Sequence, residues 1–367
     1  MKIMLHGAIN GTNFGDCLFA GMFYDSLTKA FGEDSVVFFD MKPFGIGNHI
    51  RKGLQYRTKL KLSDYQHVDH LVYISGGYFG DSNKSLKGSM IRYIRYLTVG
   101  LYAIKRKKNV YVIGLEVGPI HHTFVKKAIR RILSKANIVI VRNEDSLEYV
   151  RSMGLDHAIC TADTAISITQ EDFAGKESDS TVQLLDGINK KIIFLHLLPY
   201  DTIDDVFLRN IINPLIRFIR LHDEYCVVYG TDGGKRINDF EKLDQIFREH
   251  NITALEHRYT DWYDMCNFLN KVDVILTRKL HVGIIGSKFN KSVISTPMHL
   301  YKTLRFYKQI GEEGRCVQYT KLSDETVFDL LNQYADKKIR IPNEVVSLSN
   351  QNLSMLIADL KKREEKK

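Results

Sequence analysis

No stretch of the 367-residue chain reaches the roughly 18 uninterrupted apolar residues that crossing a bilayer requires. The start, Met1-Lys2-Ile3-Met4-Leu5-His6-Gly7, is too polar for a signal peptide, so a cytoplasmic protein is expected. Cysteine is sparse: Cys17, Cys160, Cys226, Cys266 and Cys316 are scattered, with no C-x-x-C pair. That spacing offers neither a zinc ribbon nor a disulfide framework and suits thiols in a reducing compartment. Repeats of fixed period and low-complexity tracts are also missing.

What is present is ordinary globular composition, 44% apolar and 26% charged. The length favours two domains of about 150 to 200 residues each over a single core. Net charge is +9, which points to anionic partners. Most of the excess sits between Ser82 and Leu115, where Lys84, Lys87, Arg92, Arg95, Lys105, Arg106, Lys107 and Lys108 occur without a single acid.

Short apolar runs alternate with helix-like stretches, the pattern of parallel sheets covered by helices. Candidate strands are 3–5, 36–39, 71–74, 110–113 and 138–141 in the first half, then 192–197, 226–229, 272–276 and 292–294. The polar stretch 170–189 reads as a linker. The expected organisation is therefore α/β, with one Rossmann-like domain at 1–175, a second at 190–345, and a surface helix with a charged tail at 346–367. Leu353, Leu356, Ile357 and Leu360 give that last helix its apolar face.

In open α/β sheets ligands bind beyond the carboxyl ends of strands, so the loops there carry the candidates. Gly11-Thr12-Asn13-Phe14-Gly15-Asp16 offers Asn13 and Asp16 at the mouth of a helix, as ligand groups or as a plain turn and cap. Ser75-Gly76-Gly77 would let backbone amides approach a ligand. Gly114-Leu115-Glu116-Val117-Gly118-Pro119 is read as a strand-to-helix turn or a ligand contact. Arg142 and Ser146, at a strand end and a helix start, suit a carboxylate or phosphate, although Arg142 could equally pair with a neighbouring carboxylate. Arg278, Lys279, Leu280 and His281 bring two cations and an imidazole to one strand end, a place to hold a leaving phosphate and move a proton. The neighbours His121 and His122 have no partner ligands spaced around them, so no metal is assigned.

Taken in order, these loops resemble the polysaccharide pyruvyl transferase family over residues 7–310. The shared elements are N-x-G-D (Asn13 to Asp16), Gly76-Gly77, G-x-x-x-G-P (Gly114 to Pro119), R-x-x-x-S (Arg142 to Ser146) followed by Gly154, A-D-x-A (Ala162 to Ala165), and a late R-L-H. In the last, Lys279 stands where the family has Arg, with Arg278 one position upstream, and Tyr78 stands where many members have a third glycine.

The resemblance implies a GT-B-like fold of two Rossmann-like domains facing across a cleft. It implies phosphoenolpyruvate as donor, no cofactor, and a glycan acceptor such as galactose or a related hexose of a capsule or cell-wall precursor. It further implies that His281 acts as acid or base, that Arg142, Ser146, Arg278 and Lys279 hold the donor, and that Asn13 or Asp16 orients the acceptor. Tyr301 and Lys302 match a late family element.

Such acceptors are commonly carried on a polyprenyl pyrophosphate at the inner membrane face. The basic stretch 84–108, with Tyr93, Tyr96 and Tyr102, would suit an anionic membrane; the other reading is a solvated helix whose Ile and Leu residues pack on the sheet. A nucleotide-sugar glycosyltransferase would share the plan. Glu241 and Glu249, eight apart, are its one signature, and they read as the solvent face of an amphipathic helix. The remaining rival is a non-catalytic module binding glycan or nucleic acid, though the sequence has no nucleic-acid recognition signature.

Overall fold

The computed structural model describes residues 1–9, 13–39, 59–60, 67–80, 85–233, 239–298 and 300–366; Gly11, Thr12 and Lys84 lie outside them. The chain divides into two units. The first comprises residues 1–11, 16–167 and 344–367, and the second residues 12–15 and 168–343.

The first unit holds β1 (Ile3–His6), β2 (Val36–Phe39), β3 (Lys59–Leu60), β4 (His70–Tyr73), β5 (Gly76–Phe79), β6 (Asn109–Val117), β7 (Ile138–Val141) and β8 (Ile159–Cys160). Among the described residues they form one parallel sheet in the order β3-β2-β1-β4-β6-β7-β8, with β5 pairing to the end of β6. Sequences such as Ile138-Val139-Ile140-Val141 belong to strands covered on both faces, which explains their unbroken apolar character. The covering helices show the complementary pattern. In Thr123–Lys135 the buried residues are Val125, Ala128, Ile129, Ile132 and Leu133, one stripe at helical spacing, while the lysines and arginines face outward. Each fully buried aliphatic side chain in such a stripe contributes about 1.5–3 kcal/mol.

The second unit repeats the plan with β9 (Lys191–Leu197), β10 (Tyr225–Thr231), β11 (Ala254–His257), β12 (Val274–Thr277) and β13 (Ser292–Ser295). Its parallel order is β11-β10-β9-β12-β13. In both sheets the chain builds outward from a central strand on one side and then crosses to the other. The switch points are thus β1/β4 and β9/β12, where an open α/β sheet presents its ligand crevice.

Four strands were not foreseen: β3, β5, β8 and β11. β3 and β8 are two residues long, and Gly76-Gly77 lies within β5 rather than in a turn. Likewise β6 runs on through Gly114 to Val117, so the expected turn begins only at Gly118.

Stretch 170–189 is not a linker. It contains a 3-10 turn (Gln170–Asp172) closed by a reciprocal Thr169/Asp172 capping box, and the helix Asp179–Leu185 capped by Ser178. It is fastened to the second unit: the Asn267 amide donates to the Phe173 carbonyl at 2.7 Å, and Ser178 N donates to Asp264 Oδ1 at 2.8 Å.

The C-terminal helix, Asn343–Glu364, also departs from expectation, since it packs into the first unit. Besides Leu356 and Leu360 it buries Ser349 and Asn352, whose polarity hid the inward face from a hydrophobic reading. Asn352 donates to the Ala162 carbonyl at 2.9 Å and accepts from the Thr161 hydroxyl at 2.9 Å, while Ser349 donates to the Asp163 carbonyl at 2.7 Å. Buried polar groups of this kind persist because each is paired.

Candidate active site

Within the first unit three of the sequence motifs interlock. The Arg142 guanidinium, buried, donates to Glu116 Oε2 at 2.5 Å and to Asp163 Oδ2 at 2.8 Å. Burial alone would lower its pKa, but Asp163 and Glu116 outweigh that and raise it. Ser146 Oγ accepts from Val117 N at 3.0 Å, and its own N–H is capped by Asn143 Oδ1 at 2.9 Å. The pairing of Arg142 with carboxylates is therefore what the structure contains.

Gly114 belongs to the same network. Its φ is +63°, and an added Cβ would lie 2.4 Å from Ser75 Oγ and 2.6 Å from Thr164 Oγ1, which are themselves 2.6 Å apart. Only glycine fits there.

At the β1/β4 switch point Tyr78 folds back over the strand ends. Its hydroxyl donates to the Ile74 carbonyl at 2.5 Å, and its ring stacks on Tyr96 at 4.7 Å. Burial, chiefly, pushes its phenol well above the usual value, with smaller contributions from Tyr73, Tyr96 and Asp16. The buried His6 ring lies 5.4 Å from Tyr73, and burial lowers its pKa to about 4. An aromatic cluster thus occupies this switch point. Gly76 is buried beneath the Tyr78 ring and Gly77 is exposed. Asp16, half-buried, stands in the first turn of the helix Phe14–Phe31.

The second unit's switch point is polar. β9 delivers His196, β10 is followed by Asp232, and β12 ends in Thr277 with Arg278 and Lys279 after it. His196 Nε2 lies 3.4 Å from Asp232 Oδ1, and Lys279 Nζ lies 3.6 Å from Asp232 Oδ2. The Thr277 hydroxyl accepts from Lys279 N at 3.0 Å and sits 3.1 Å from His196 Nδ1. Burial would raise the Asp232 carboxyl, yet the hydrogen bond and charge of His196 and the charge of Lys279 hold it below its ordinary value. The Lys279 side chain keeps 25% of its surface exposed, so the cation is both held and reachable.

His281 is the second residue of the helix Leu280–Lys288, with half-buried Leu280 before it. Its ring packs against Gly15 so closely that a Cβ on Gly15 would lie 2.0 Å from Nδ1. The segment carrying Gly15 is pinned on both sides: Asn13 Oδ1 accepts from Gly15 N at 3.0 Å, and Phe14 N donates to the Asp232 carbonyl at 3.0 Å. In N-x-G-D, then, Asn13 is a helix cap and Gly15 makes room for the imidazole.

Arg278 points elsewhere. Its guanidinium pairs with Asp201 and lies 4.0 Å over the Tyr319 ring, in a nearly buried setting. Arg278 is thus engaged away from Asp232, which Lys279 meets instead. Tyr301 and Lys302 open the helix Leu300–Gln309 on exposed positions, Tyr301 being 80% exposed. In sum, Asn13, Gly15, Lys279 and His281 come together, Arg142 and Ser146 lie in the other unit, and Arg278 is committed locally.

Sequence reasoning missed His196 and Asp232. His196 is the next-to-last residue of the candidate strand 192–197, and Asp232 directly follows β10, three positions beyond the candidate strand 226–229; polar residues near two strand ends were the available signal. Among the described residues no group of three His, Cys, Asp or Glu side chains is placed to hold a metal ion.

The sequence profile of the polysaccharide pyruvyl transferase family matches residues 13–297. No curated protein matches the chain. Solved structures resemble it in fold. A putative UDP-N-acetylglucosamine 2-epimerase from Listeria monocytogenes is 14% identical over 98% of this chain and 97% of its own, with a TM-score of 0.63. A UDP-GlcNAc 2-epimerase from Neisseria meningitidis, bound to UDP-GlcNAc, is 12% identical over 98% of this chain and 100% of its own, at 0.62. The UDP-GlcNAc 2-epimerase from Methanocaldococcus jannaschii is 12% identical over 97% and 98%, at 0.61. The fold is accordingly that of GT-B proteins, with two Rossmann-like units.

Proposed function

Because the chain belongs to the polysaccharide pyruvyl transferase family, we propose that it moves the pyruvyl group of phosphoenolpyruvate onto a sugar, closing a cyclic ketal. Galactose or a related hexose of a polysaccharide precursor is the acceptor to try first. The observation that supports this reading is the second unit's switch point, where Lys279, His281 and the His196–Asp232 pair meet beyond parallel strand ends.

The chemistry needs a proton for the donor's methylene carbon and a cation for its phosphate. In this reading His281 supplies the proton. One sugar hydroxyl then adds to the cationic carbon and returns a proton to the His281 imidazole; a second hydroxyl displaces phosphate and loses its proton to it, the phosphate leaving with the electron pair of the broken C–O bond. Lys279 balances the phosphate charge, and Asp232 fixes the ammonium while pairing with His196. Asp16 is the candidate for orienting the acceptor. Arg142, Ser146 and Arg278, having internal partners, act in this reading as framework.

Incubation with phosphoenolpyruvate and nitrophenyl hexosides, followed by mass spectrometry and phosphate release, tests the proposal. His281→Ala and Lys279→Met should each lower turnover at least about a hundredfold, since losing one such group commonly costs ~3 kcal/mol of barrier. Consumption of a nucleotide sugar with phosphoenolpyruvate untouched would overturn it.

A further inference from the structure

Leu86, Met90, Ile91 and Ile94 are 59%, 46%, 46% and 39% exposed. Eleven large apolar side chains are exposed among the described residues, and these four fall within nine consecutive positions, so the cluster is not the usual single scatter. They lie on one helical run: the helix Leu86–Arg92, the π turn Tyr93–Leu97 and the helix Thr98–Lys105. Spacings of four and eight put Leu86, Met90 and Ile94 along one line, with Ile91 beside it.

The run is anchored from its other side. Ser89, Tyr96, Leu97, Val99 and Ala103 are buried, the Tyr73 hydroxyl donates to the Tyr96 carbonyl at 2.7 Å, and Arg92 donates to the Gly80 carbonyl at 2.5 Å. Turning the helix to hide the four apolar residues would pull that set out of the core. Their exposure is thus fixed by the fold. Parts of both readings of this stretch are present: Tyr96 and Leu97 are buried and Tyr93, Leu101, Tyr102 and Ile104 pack against the core, while Ile91 and Ile94 face out.

Charge decides what could cover this face. Lys87 lies within it, and Lys105, Arg106 and Lys107 are exposed at the far end of the run, in a stretch without Asp or Glu from Ser82 to Leu115. Two copies meeting through it with these runs parallel would set these cations against each other, and antiparallel copies would set them beside the partner's apolar residues. We propose that this face seats the first unit on an anionic phospholipid surface, with Leu86, Met90, Ile91 and Ile94 in the acyl boundary and the four cations among the headgroups. Docking of this face does not depend on the donor or acceptor proposed above.

Flotation of the full chain with vesicles of phosphatidylglycerol and phosphatidylcholine, against phosphatidylcholine alone, tests it. Wild type should bind the anionic vesicles at least about tenfold more tightly, and less tightly as salt rises. Ile91→Asp with Ile94→Asp should weaken binding at least tenfold with an unchanged circular-dichroism melt, both positions being exposed. Reversing Lys105, Arg106 and Lys107 to Glu should weaken it at least about a hundredfold, near fivefold for each cation lost. Failure of wild type to bind anionic vesicles, or undiminished binding by the Asp variant, overturns the proposal. So does a wild-type dimer that the Asp variant converts to monomer without any vesicle binding. If vesicle binding tracks the variants while phosphoenolpyruvate is never consumed, membrane docking stands and the catalytic reading falls.

Discussion

Gly15→Ala probes the candidate site through a single methyl group. The new Cβ would lie 2.0 Å from Nδ1 and 2.6 Å from Cγ of His281, against 3.4 Å or more in ordinary contact. The backbone cannot yield easily, because Gly15 N is held by Asn13 Oδ1 and Phe14 N by the Asp232 carbonyl. The imidazole must therefore move by more than an ångström. Misplacing a reacting group by about 1 Å can cost roughly a hundredfold in rate, so phosphoenolpyruvate-dependent turnover should fall by about that factor. Stability should change much less. Overpacking costs about 1–3 kcal/mol, and alanine's better helix propensity returns about 1 kcal/mol of it. The decisive comparison is the same substitution in a His281→Ala background, where the obstructing ring is gone. There Gly15→Ala should be neutral or stabilising by up to about 1 kcal/mol in urea unfolding, and it should have no further effect on rate. The coupling between the two sites should therefore be about 1–3 kcal/mol. Additive effects on both stability and rate would refute the reasoning.

Two other consequences concern the first unit. Asn352→Leu removes the bonds that Asn352 donates to the Ala162 carbonyl and accepts from the Thr161 hydroxyl, leaving those two buried groups only their mutual contact at 3.3 Å, which should cost about 2–4 kcal/mol; calorimetry should show the loss as a lower midpoint, and hydrogen exchange should rise around Ala162. His6, whose pKa burial lowers from 6.5 to about 4, stays neutral when folded but takes a proton when unfolded between those values. Stability is accordingly complete above pH 6.5 and is lost on acidification toward pH 4, by about 2 kcal/mol between pH 7 and 5. His6→Phe should flatten that slope, and an unchanged slope would show that other groups govern the acid limb.

Much of the fold was readable because parallel strands covered on both faces must be apolar throughout. Runs such as 138–141 and 36–39 appear as strands with the expected bounds. What escaped the reading obeys different physics. β3 and β8 are two residues long, too short for any periodicity to register. Ser349 and Asn352 are buried for the hydrogen bonds they make, not for hydrophobicity, so the helix they belong to looked like a surface element. The stretch 170–189 is held by caps and by side chains of distant residues, Asn267 and Asp264, that no local pattern reveals.

The same distinction sorts the motifs. A polar residue after a strand can serve a ligand or serve the scaffold, and spacing alone does not separate the two; its partners do. Glu116, Asp163 and Val117 N occupy Arg142 and Ser146, and Asp201 occupies Arg278. At the β9/β12 switch point the carboxylate is instead divided, Asp232 Oδ1 facing His196 and Oδ2 facing Lys279. A guanidinium fork at position 279 would tend to claim both oxygens and displace the imidazole, whereas an ammonium, a point charge, needs only one. The replacement of arginine by Lys279 therefore fits the presence of His196: each partner takes one oxygen, and the lysine keeps its remaining donors for an anion.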